Sequence, residues 1–245
     1  MNKYFTANRI KFTKLWHCFG NSYHFASLDS IKGLIRDSQT NALSINTHRL
    51  NKETKRNGLE LGYAGITLDF FEQNYDTSGL YKMLNINLQT TANDAIEKTK
   101  LAFDLTGEQI VKLEVVDKTY ENSNQKEIIK ATEALKNWSS SLMILPLFYN
   151  EVEVARSLID LGCPILRIMG SPIGQRKGIA DTKSLKEICS MGVPVILEGG
   201  IGSIDHALEA INCGATGVLI NSMLFESKED PVDVMKNFAL KFYEC

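Results

Sequence analysis

The stretch from Val193 to Ser222 constrains the fold more than any other part of the chain. Val193–Leu197 is a continuous apolar run, which is typical of a strand buried on both faces. Glu198 and a glycine-rich loop, residues 199–202, follow it, and a segment with helical apolar spacing leads to a second short apolar run, Val218–Ile220. This order predicts two parallel strands joined by a right-handed helical crossover.

The glycine-rich loop also indicates a ligand site. Backbone N–H groups that lie beyond a buried strand and beside a helix N-terminus attract an anion. Gly199 and Gly200 allow the backbone to approach a ligand closely, and Asn221 and Ser222 follow the next predicted strand. Because paired phosphate loops after the last two strands recur in (β/α)8 barrels, we predict a phosphate site here. The alternative is that the glycines serve only as tight turns.

The remaining sequence repeats the alternation of strands and helices. The pattern predicts six further strands, at Lys14–Gly20, Ala42–Arg49, Tyr81–Leu88, Gln109–Val116, Ser141–Phe148 and Pro164–Gly170. It predicts helices at Ser27–Asp37, Ala92–Leu105, Lys126–Trp138, Glu151–Leu161, Thr182–Met191 and Asp230–Phe242, besides the crossover helix and a short one within Ile66–Phe71. Eight buried strands alternating with helices indicate an α/β fold, a single (β/α)8 TIM barrel over residues 1–245. An open doubly wound sheet is less favoured, because no G-x-G-x-x-G follows the first strand.

Composition excludes some classes of function. The 245 residues carry a formal net charge of −2, so we expect no binding to nucleic acid or to an anionic membrane. No apolar run reaches the length of a membrane span, and the N-terminus lacks the apolar core of a signal peptide, so we expect a cytoplasmic protein. The five cysteines form no C-x-x-C pair, and the histidines (His17, His24, His48 and His206) lack metal-ligand spacing, so we expect neither a metal nor a cofactor.

Charged residues inside apolar strands are the candidates for catalysis. Lys112 and Glu114 are two residues apart in one predicted strand, so they point to the same face about 7 Å apart. A lysine inside the barrel beside a carboxylate is a candidate nucleophile, whereas on the outer face the two would be a surface pair. Glu198 ends the seventh strand and is a second candidate acid or base, or merely a loop cap. With a phosphate site, these residues predict Schiff-base chemistry on a sugar phosphate.

Two basic pairs at predicted strand ends are weaker candidates. His48-Arg49 ends the second strand, where it would be able to contact a substrate. Arg176-Lys177 follows the loop after the sixth strand, and such a pair is more often solvated than bound to a ligand.

Five segments resemble the thiazole synthase of thiamin biosynthesis. They are Ile110-Val111-Lys112-Leu113-Glu114-Val115, Leu145-Pro146, Gly170-Ser171-Pro172-Ile173-Gly174, Pro194-Val195-Ile196-Leu197-Glu198-Gly199-Gly200-Ile201-Gly202 and Val218-Leu219-Ile220-Asn221-Ser222. The Gly-Ser-Pro-Ile-Gly loop followed by the Gly-Ile-Gly loop at this spacing is specific. The resemblance covers residues 80–240 firmly and the earlier part faintly.

The resemblance implies a reaction, a set of partners and a set of site residues. Lys112 would form an imine with the C2 ketone of 1-deoxy-D-xylulose 5-phosphate, with Glu114 and Glu198 as the acid/base carboxylates. A thiocarboxylate on a small ubiquitin-like sulfur-carrier protein would deliver sulfur, and another enzyme would supply dehydroglycine. We also expect a homo-oligomer. The substrate and phosphate contacts would be Gly170, Gly199, Gly200, Asn221 and Ser222.

The chain departs from the family pattern at several pocket positions. Glu198 stands where the family usually has Asp, Gly199 where it has Ala, Ser222 where it has Thr, and His48 where it has Arg. Residues 85–90 read Asn-Ile-Asn-Leu-Gln-Thr instead of Pro-Asn-Thr-Ala-Gly-Cys, and residues 147–148 read Leu-Phe instead of Tyr-Cys. These departures leave three alternatives open: a different Schiff-base enzyme, a flavin enzyme, or a non-catalytic barrel that binds a phosphorylated ligand or the carrier.

Overall fold

The computed structural model describes residues 2–20, 26–53, 55–226 and 228–244, and His24 and Cys245 lie outside these ranges. Eleven strands occur in this part of the chain: β1 (Tyr4–Ala7), β2 (Ile10–Thr13), β3 (Leu15–Trp16), β4 (Ala42–Asn46), β5 (Glu60–Leu61), β6 (Tyr81–Gln89), β7 (Ile110–Val115), β8 (Met143–Tyr149), β9 (Leu166–Met169), β10 (Val195–Glu198) and β11 (Gly217–Leu219).

Nine α-helices occur in the same ranges: α1 (Leu28–Ser38), α2 (Leu68–Asn74), α3 (Ala92–Thr106), α4 (Gln125–Trp138), α5 (Val152–Asp160), α6 (Thr182–Cys189), α7 (Ile204–Asn212), α8 (Ser222–Phe225) and α9 (Pro231–Glu244). Six of them begin after a polar residue whose side chain accepts a backbone N–H bond, namely Ser27, Thr67, Thr91, Asn124, Asp181 and Ser203. No helix in these ranges is long and apolar enough to cross a membrane.

Eight strands form the predicted parallel barrel sheet. The order of the sheet is β3-β11-β10-β9-β8-β7-β6-β4-β5, in which only β5 is antiparallel to its neighbour. The barrel strands are buried on both faces, because helices cover the outer face and side chains fill the interior. The predicted α/β barrel class is therefore confirmed, and the predicted strands and helices are all present with shifted ends.

The ring of strands closes in an irregular way between β3 and β4. No ladder joins these two strands among the described residues. Instead, the segment after β5 lies between their ends: the Gly62 N–H donates to Ser44 O at 2.7 Å, and the Tyr63 N–H donates to Cys18 O at 2.9 Å. Gly62 has a φ of +46°, and a Cβ there would lie 2.0 Å from Cys18 O. Glycine is therefore required where this segment passes the first strand.

An N-terminal hairpin that the sequence reading did not predict plugs one end of the barrel. Strands β1 and β2 pair antiparallel, and the Phe12 ring lies 5.7 Å from Trp16 and 5.3 Å from Tyr81 between ring centroids. These rings pack against residues that begin barrel strands, among them Ala42 and Ile110. The expected first strand, Lys14–Gly20, is consequently only two residues long, since the chain before it turns into the hairpin.

Candidate active site

A cavity of about 380 Å³ opens at the carboxyl ends of the barrel strands. Its walls come from residues at or just beyond the ends of β3, β6, β7, β8, β10 and β11, together with Tyr63 and the loop after β9. This is the end of the barrel at which such folds carry their active sites. The opposite end is closed by the hairpin, so a ligand enters from the strand-end side.

Four charged side chains lie buried together at the floor of this cavity, and two of them, Glu114 and Glu198, line it. Lys112 and Glu114 come from β7, Arg167 from β9 and Glu198 from β10. Arg167 Nε donates to Glu198 Oε2 at 2.5 Å, and Arg167 Nη2 donates to Glu114 Oε1 at 2.6 Å. Lys112 Nζ lies 3.3 Å from Glu198 Oε1. Two cations thus face two anions, which is the arrangement that makes burial of four charges tolerable.

This network holds Glu198 as an anion. Burial alone would raise the pKa of Glu198, but the charges of Arg167 and Lys112 outweigh it and lower the pKa to about 2. Burial likewise opposes the charge on Arg167, yet Glu198 and Glu114 raise the pKa of its guanidinium above the usual value. Around neutral pH the cluster therefore contains an ionised Glu198 fixed by a permanently charged Arg167.

Lys112 sits deeper than the carboxylates. Its side chain is 0% exposed, whereas Glu114 and Glu198 line the cavity. Lys112 Nζ also lies 3.7 Å from the sulfur of Cys18, which lines the cavity as well. A carbonyl that reaches Lys112 must consequently enter between these side chains. The expectation that the lysine faces the barrel interior, and not the outer surface, agrees with this placement.

One wall of the cavity is built mainly from backbone, and we call residues 199–202 with 221–222 the glycine wall. Gly199 and Gly200 have φ values of +84° and +91°, which favour glycine. Among the described residues the amides of Gly200 and Ile201 donate no hydrogen bond, whereas the Gly202 N–H donates to His206 Nδ1 at 3.2 Å. The loop thus offers two amides to an anion.

Two of the predicted phosphate contacts have structural partners of their own. The Gly170 N–H donates to Gly199 O at 3.2 Å, so Gly170 supports the loop from behind and is not part of the cavity lining. The Asn221 side chain accepts from the Cys18 N–H at 3.3 Å and donates to Gly20 O at 2.7 Å, which anchors the segment after β3. Gly199, Gly200, Asn221 and Ser222 all line the cavity.

The facing wall is built from side chains, and we call Tyr63, Asn85 and Asn87 the amide wall. Asn87 Nδ2 donates to the Tyr63 hydroxyl at 2.5 Å. Burial raises the pKa of Tyr63 well above its usual range, so the phenol stays protonated. Asn85 and Asn87 are 2% and 1% exposed, and the Oδ1 atom of each lacks a partner within the described part of the chain.

Sequence reasoning missed Arg167 and the amide wall. Arg167 had the same signal that revealed Lys112, a charged residue inside an apolar strand. Asn85 and Asn87 alternate with apolar residues in β6, a spacing of two that places both on one face. Tyr63 gave no such signal, because it lies in the irregular segment, whose place beside Cys18 depends on long-range backbone hydrogen bonds.

The weaker candidates lie outside the centre of the site. His48 is partly buried and is not among the cavity-lining residues, and Arg49 pairs with Glu60 at 2.6 Å. Arg176 pairs with Glu226 at 2.7 Å, and Glu226 lines the cavity rim. In the residues that the structure describes, no group of His, Cys, Asp and Glu side chains has the geometry of a metal site.

These features define a class: an α/β barrel with a buried lysine facing carboxylates beneath a strand-end cavity. The family model described as thiazole biosynthesis protein ThiG matches residues 17–242. The chain therefore belongs to the ThiG family.

Curated relatives named thiazole synthase show the extent of the sequence similarity. The protein of Shewanella amazonensis is 32% identical over 164 residues, which are 66% of this chain and 59% of the relative. That of Azorhizobium caulinodans is 35% identical over 150 residues, or 60% and 55% of the two chains, and that of Alkaliphilus metalliredigens is 28% identical over 218 residues, or 88% and 78%. The chain thus spans less than two thirds of the length of the first two relatives.

Solved structures support the fold. The BexX/CysO complex of Amycolatopsis orientalis contains a chain with a TM-score of 0.83 at 20% identity, covering 98% of this chain and 92% of that one. Thiamine phosphate pyrophosphorylase from Pyrococcus furiosus has a TM-score of 0.63 at 16% identity, covering 94% and 96%.

Proposed function

We propose that the chain is a thiazole synthase, which forms the thiazole phosphate of thiamin from 1-deoxy-D-xylulose 5-phosphate, dehydroglycine and a sulfur-carrier thiocarboxylate. The observation that carries this proposal is Lys112, a fully buried amine 3.3 Å from Glu198 beneath a strand-end cavity. A lysine buried in this way is a candidate nucleophile, and membership of the ThiG family supports a role in thiazole formation.

The first chemical step is imine formation at Lys112. The amine must give up a proton before it attacks C2, and the carboxylate of Glu198 is within reach to receive it. Attack on the ketone and loss of water leave a cationic iminium. Glu198 and Glu114, both held in place by Arg167, lie where their negative charge stabilises that cation.

The second step moves the carbonyl from C2 to C3. It requires removal of the proton on C3 and return of a proton to the enamine, which are general acid/base tasks. Glu114 and Glu198 both line the cavity, and Glu198 lies 3.3 Å from Lys112, so we assign these tasks to them. The new C3 carbonyl then accepts sulfur from the thiocarboxylate, and dehydroglycine supplies the remaining ring atoms.

We assign the phosphate of the substrate to the glycine wall. Gly200, Ile201 and Ser222 line the cavity, and Asn221 anchors the adjoining segment. Gly199 and Gly170 hold the loop in the required conformation through their mutual hydrogen bond. Backbone amides that are fixed in advance bind phosphate with little loss of entropy.

The partners follow from the same proposal. A small ubiquitin-like carrier brings the thiocarboxylate to the cavity, and a separate enzyme makes dehydroglycine. Exposed apolar side chains of Leu88, Tyr120 and Ile173 line the cavity and offer a docking rim for the carrier. The similar fold solved as a BexX/CysO complex supports a protein partner. We further propose a homo-oligomer that works in the cytoplasm.

Reconstitution tests the proposal. Purified protein is incubated with 1-deoxy-D-xylulose 5-phosphate, carrier thiocarboxylate and dehydroglycine, and thiazole phosphate is measured by mass spectrometry. We expect product with the wild-type chain and with Lys130→Arg, a surface control on α4, but none with Lys112→Arg, because a guanidinium stays protonated. No product from the wild-type chain with active carrier and substrates contradicts the proposal.

A second candidate is a different Schiff-base enzyme acting on a phosphorylated sugar. The observation that favours it is the set of departures from the family pattern along the cavity, at Glu198, Gly199 and Ser222. Such an enzyme would form the imine on Lys112 and move the carbonyl without accepting sulfur. Conversion of the sugar phosphate in the absence of the carrier, with no thiazole in its presence, would support this candidate.

A further inference from the structure

An ion pair at the rim of the cavity joins the two parts of the glycine wall. Arg176 Nη2 lies 2.7 Å from Glu226 Oε2, and the two side chains are 40% and 38% exposed. Arg176 lies in the loop after β9 and packs against Gly202, whereas Glu226 directly follows α8, the short helix that begins at Ser222. The guanidinium of Arg176 therefore reaches from one part of the wall towards the other, on the side that is open to solvent.

The charge of the cavity lining gives this ion pair a consequence for binding. In the described part of the chain, the charged residues that line the cavity are all glutamates, namely Glu114, Glu198 and Glu226. The first two pair with Arg167 at the cavity floor, whereas Glu226 pairs with Arg176 at the rim. Because like charges repel, a phosphorylated ligand that enters past Glu226 is opposed unless Arg176 neutralises that carboxylate.

The backbone accommodates an arginine at this position at a cost. Arg176 has a φ of +53°, in the left-handed region that favours glycine, so its side chain is kept against backbone strain. Gly202 makes room for it, because a Cβ on Gly202 would lie 2.8 Å from Arg176 Cβ. Strain of this kind is found where the strained residue serves a site, which indicates that the Arg176 side chain has a use beyond the fold.

The guanidinium of Arg176 has donors to spare for a ligand. Its contact with Glu226 is made through Nη2, and its Nε and Nη1 donate no hydrogen bond within the described residues. A guanidinium carries five N–H donors in a planar fork that fits two oxygens of a phosphate. A phosphate has more negative charge and more acceptor oxygens than a carboxylate, so it competes with Glu226 for Arg176.

We propose that Arg176 exchanges partners when a phosphorylated ligand binds. In the free protein it neutralises Glu226, and in the complex its guanidinium donates to the phosphate at the glycine wall. Arg176 thus strengthens the preference for a charged ligand, and Glu226 opposes that preference. The inference rests on the proposed function for the class of ligand, a sugar phosphate whose phosphate lies at the glycine wall.

The test uses a ligand that cannot form an imine. Reducing C2 of 1-deoxy-D-xylulose 5-phosphate to an alcohol removes the carbonyl but keeps the phosphate. Titration calorimetry compares the affinity of this alcohol with that of the same polyol without its phosphate, and the ratio of the two affinities measures the phosphate preference. We expect Arg176→Gln to lower this ratio about 10-fold, because the variant loses a hydrogen bond between charged groups.

Glu226→Gln distinguishes an exchange of partners from a structural brace. In an exchange, removal of the carboxylate frees Arg176 and ends the repulsion of the phosphate, so the ratio should rise about 2- to 5-fold. In a brace, the loss of either partner loosens the wall, so both variants should weaken binding. Arg156→Gln and Glu187→Gln are the controls, since they break an exposed ion pair of 3.1 Å on the outer helices and should leave the ratio unchanged.

Arg176→Gly shows whether the side chain is kept for the ligand. Glycine adopts the left-handed conformation without strain, so the melting temperature of the free protein should not fall. The phosphate preference should nevertheless drop as it does in Arg176→Gln. A clearly lower melting temperature for Arg176→Gly would mean that Arg176 serves the fold.

Three further results would overturn the inference: no preference of the wild-type chain for the phosphorylated alcohol, an unchanged ratio in Arg176→Gln, or weaker binding of the phosphorylated alcohol to Glu226→Gln. Failure of the proposed function has a different signature. In that case the ratio shifts in opposite directions in Arg176→Gln and Glu226→Gln as expected, but the ketone forms no adduct on Lys112.

Discussion

The two walls of the cavity are built by different means. The glycine wall is a backbone structure whose glycines pack against other loops: a Cβ on Gly200 would lie 2.5 Å from Gly178 O. The amide wall is a side-chain structure whose buried oxygens have no partner in the described chain. The glycine wall is held in place by backbone packing, whereas the amide wall contains buried Asn oxygens with no accessible surface. The comparison teaches that changes in the glycine wall should act on stability and binding together, whereas removal of an unpaired oxygen from the amide wall should raise stability.

Arg167 joins the two walls, so its loss should have the largest effect. It bonds Glu114 on the strand beside the amide wall and Glu198 at the start of the glycine wall. Arg167→Leu leaves two buried carboxylates without this partner, which should lower the free energy of unfolding by about 3–5 kcal/mol in urea denaturation. Arg156→Leu, which removes partly exposed ion pairs with Glu153 and Glu187, should cost less than about 1 kcal/mol. Equal losses in the two variants would contradict the bridging role.

Glu198 should separate chemistry from binding. Glu198→Gln keeps the size of the side chain but removes its charge, so imine formation should slow and the step after it should slow about 10²- to 10⁴-fold. Affinity for the reduced, alcohol form of the sugar phosphate should change little. Rapid-quench kinetics on the adduct measures the first quantity and calorimetry the second. A wild-type rate in Glu198→Gln would mean that the carboxylate only caps its loop.

A methyl group on Gly200 should test the rigidity of the glycine wall. Gly200→Ala combines a φ of +91° with a clash against backbone, so it should lower the free energy of unfolding by roughly 2–3 kcal/mol. Gly174→Ala is the control, because its φ of +81° carries the same strain but its Cβ points into open space. That variant should cost roughly 1 kcal/mol. If both variants lose the same stability, the wall is not fixed by packing.

The smallest expected effect concerns His17, which lies outside both walls. Its ring is buried beside Ser38, with Nε2 3.1 Å from Oγ, and burial lowers the pKa of the imidazole from 6.5 to about 3. Between pH 3 and pH 6.5 the unfolded chain therefore binds a proton at His17, whereas the folded chain does not. This part of the stability is fully present well above pH 6.5 and is lost as the pH falls through 6.5 towards 3, by about 1.4 kcal/mol at pH 5.5.

His17→Gln removes this titration while it retains a polar side chain. Denaturation at pH 5.5 and 7.5 should show a smaller pH effect in the variant than in the wild-type chain. The same difference between the two pH values in both proteins would contradict the assignment.

The strand pattern was sufficient to predict the barrel and to bring Lys112, Glu114 and Glu198 to its strand-end cavity. Lys112 and Glu114 were found because charge inside an apolar strand is expensive unless it serves a purpose. The same reasoning applied to Arg167 would have found the bridge between the carboxylates. The features that the sequence did not reveal depend on long-range contacts. One is the β1–β2 hairpin, which closes the barrel end through Phe12, and the other is the segment after β5, which carries Tyr63 to the cavity.

The sequence also did not reveal the hydrogen-bond partners of the residues predicted to bind phosphate. Gly170 and Gly199 were both predicted to contact the phosphate. In the structure the Gly170 N–H donates to Gly199 O, so Gly170 lies behind the loop and supports it. The side chain of Asn221 is committed to backbone atoms of Cys18 and Gly20, more than 200 positions away in the chain. A sequence motif identifies residues that meet at a site, but only the folded structure shows which of their donor and acceptor atoms are free to bind a ligand.

Reductive trapping tests the central claim, that Lys112 is the nucleophile of the site, most directly. The chain is treated with 1-deoxy-D-xylulose 5-phosphate and borohydride, its intact mass is measured, and the labelled residue is mapped by peptide sequencing. The account predicts one added sugar phosphate, located on Lys112 and absent in Lys112→Arg. A label on another lysine, or no label on a folded wild-type chain that binds the reduced ligand, would contradict it.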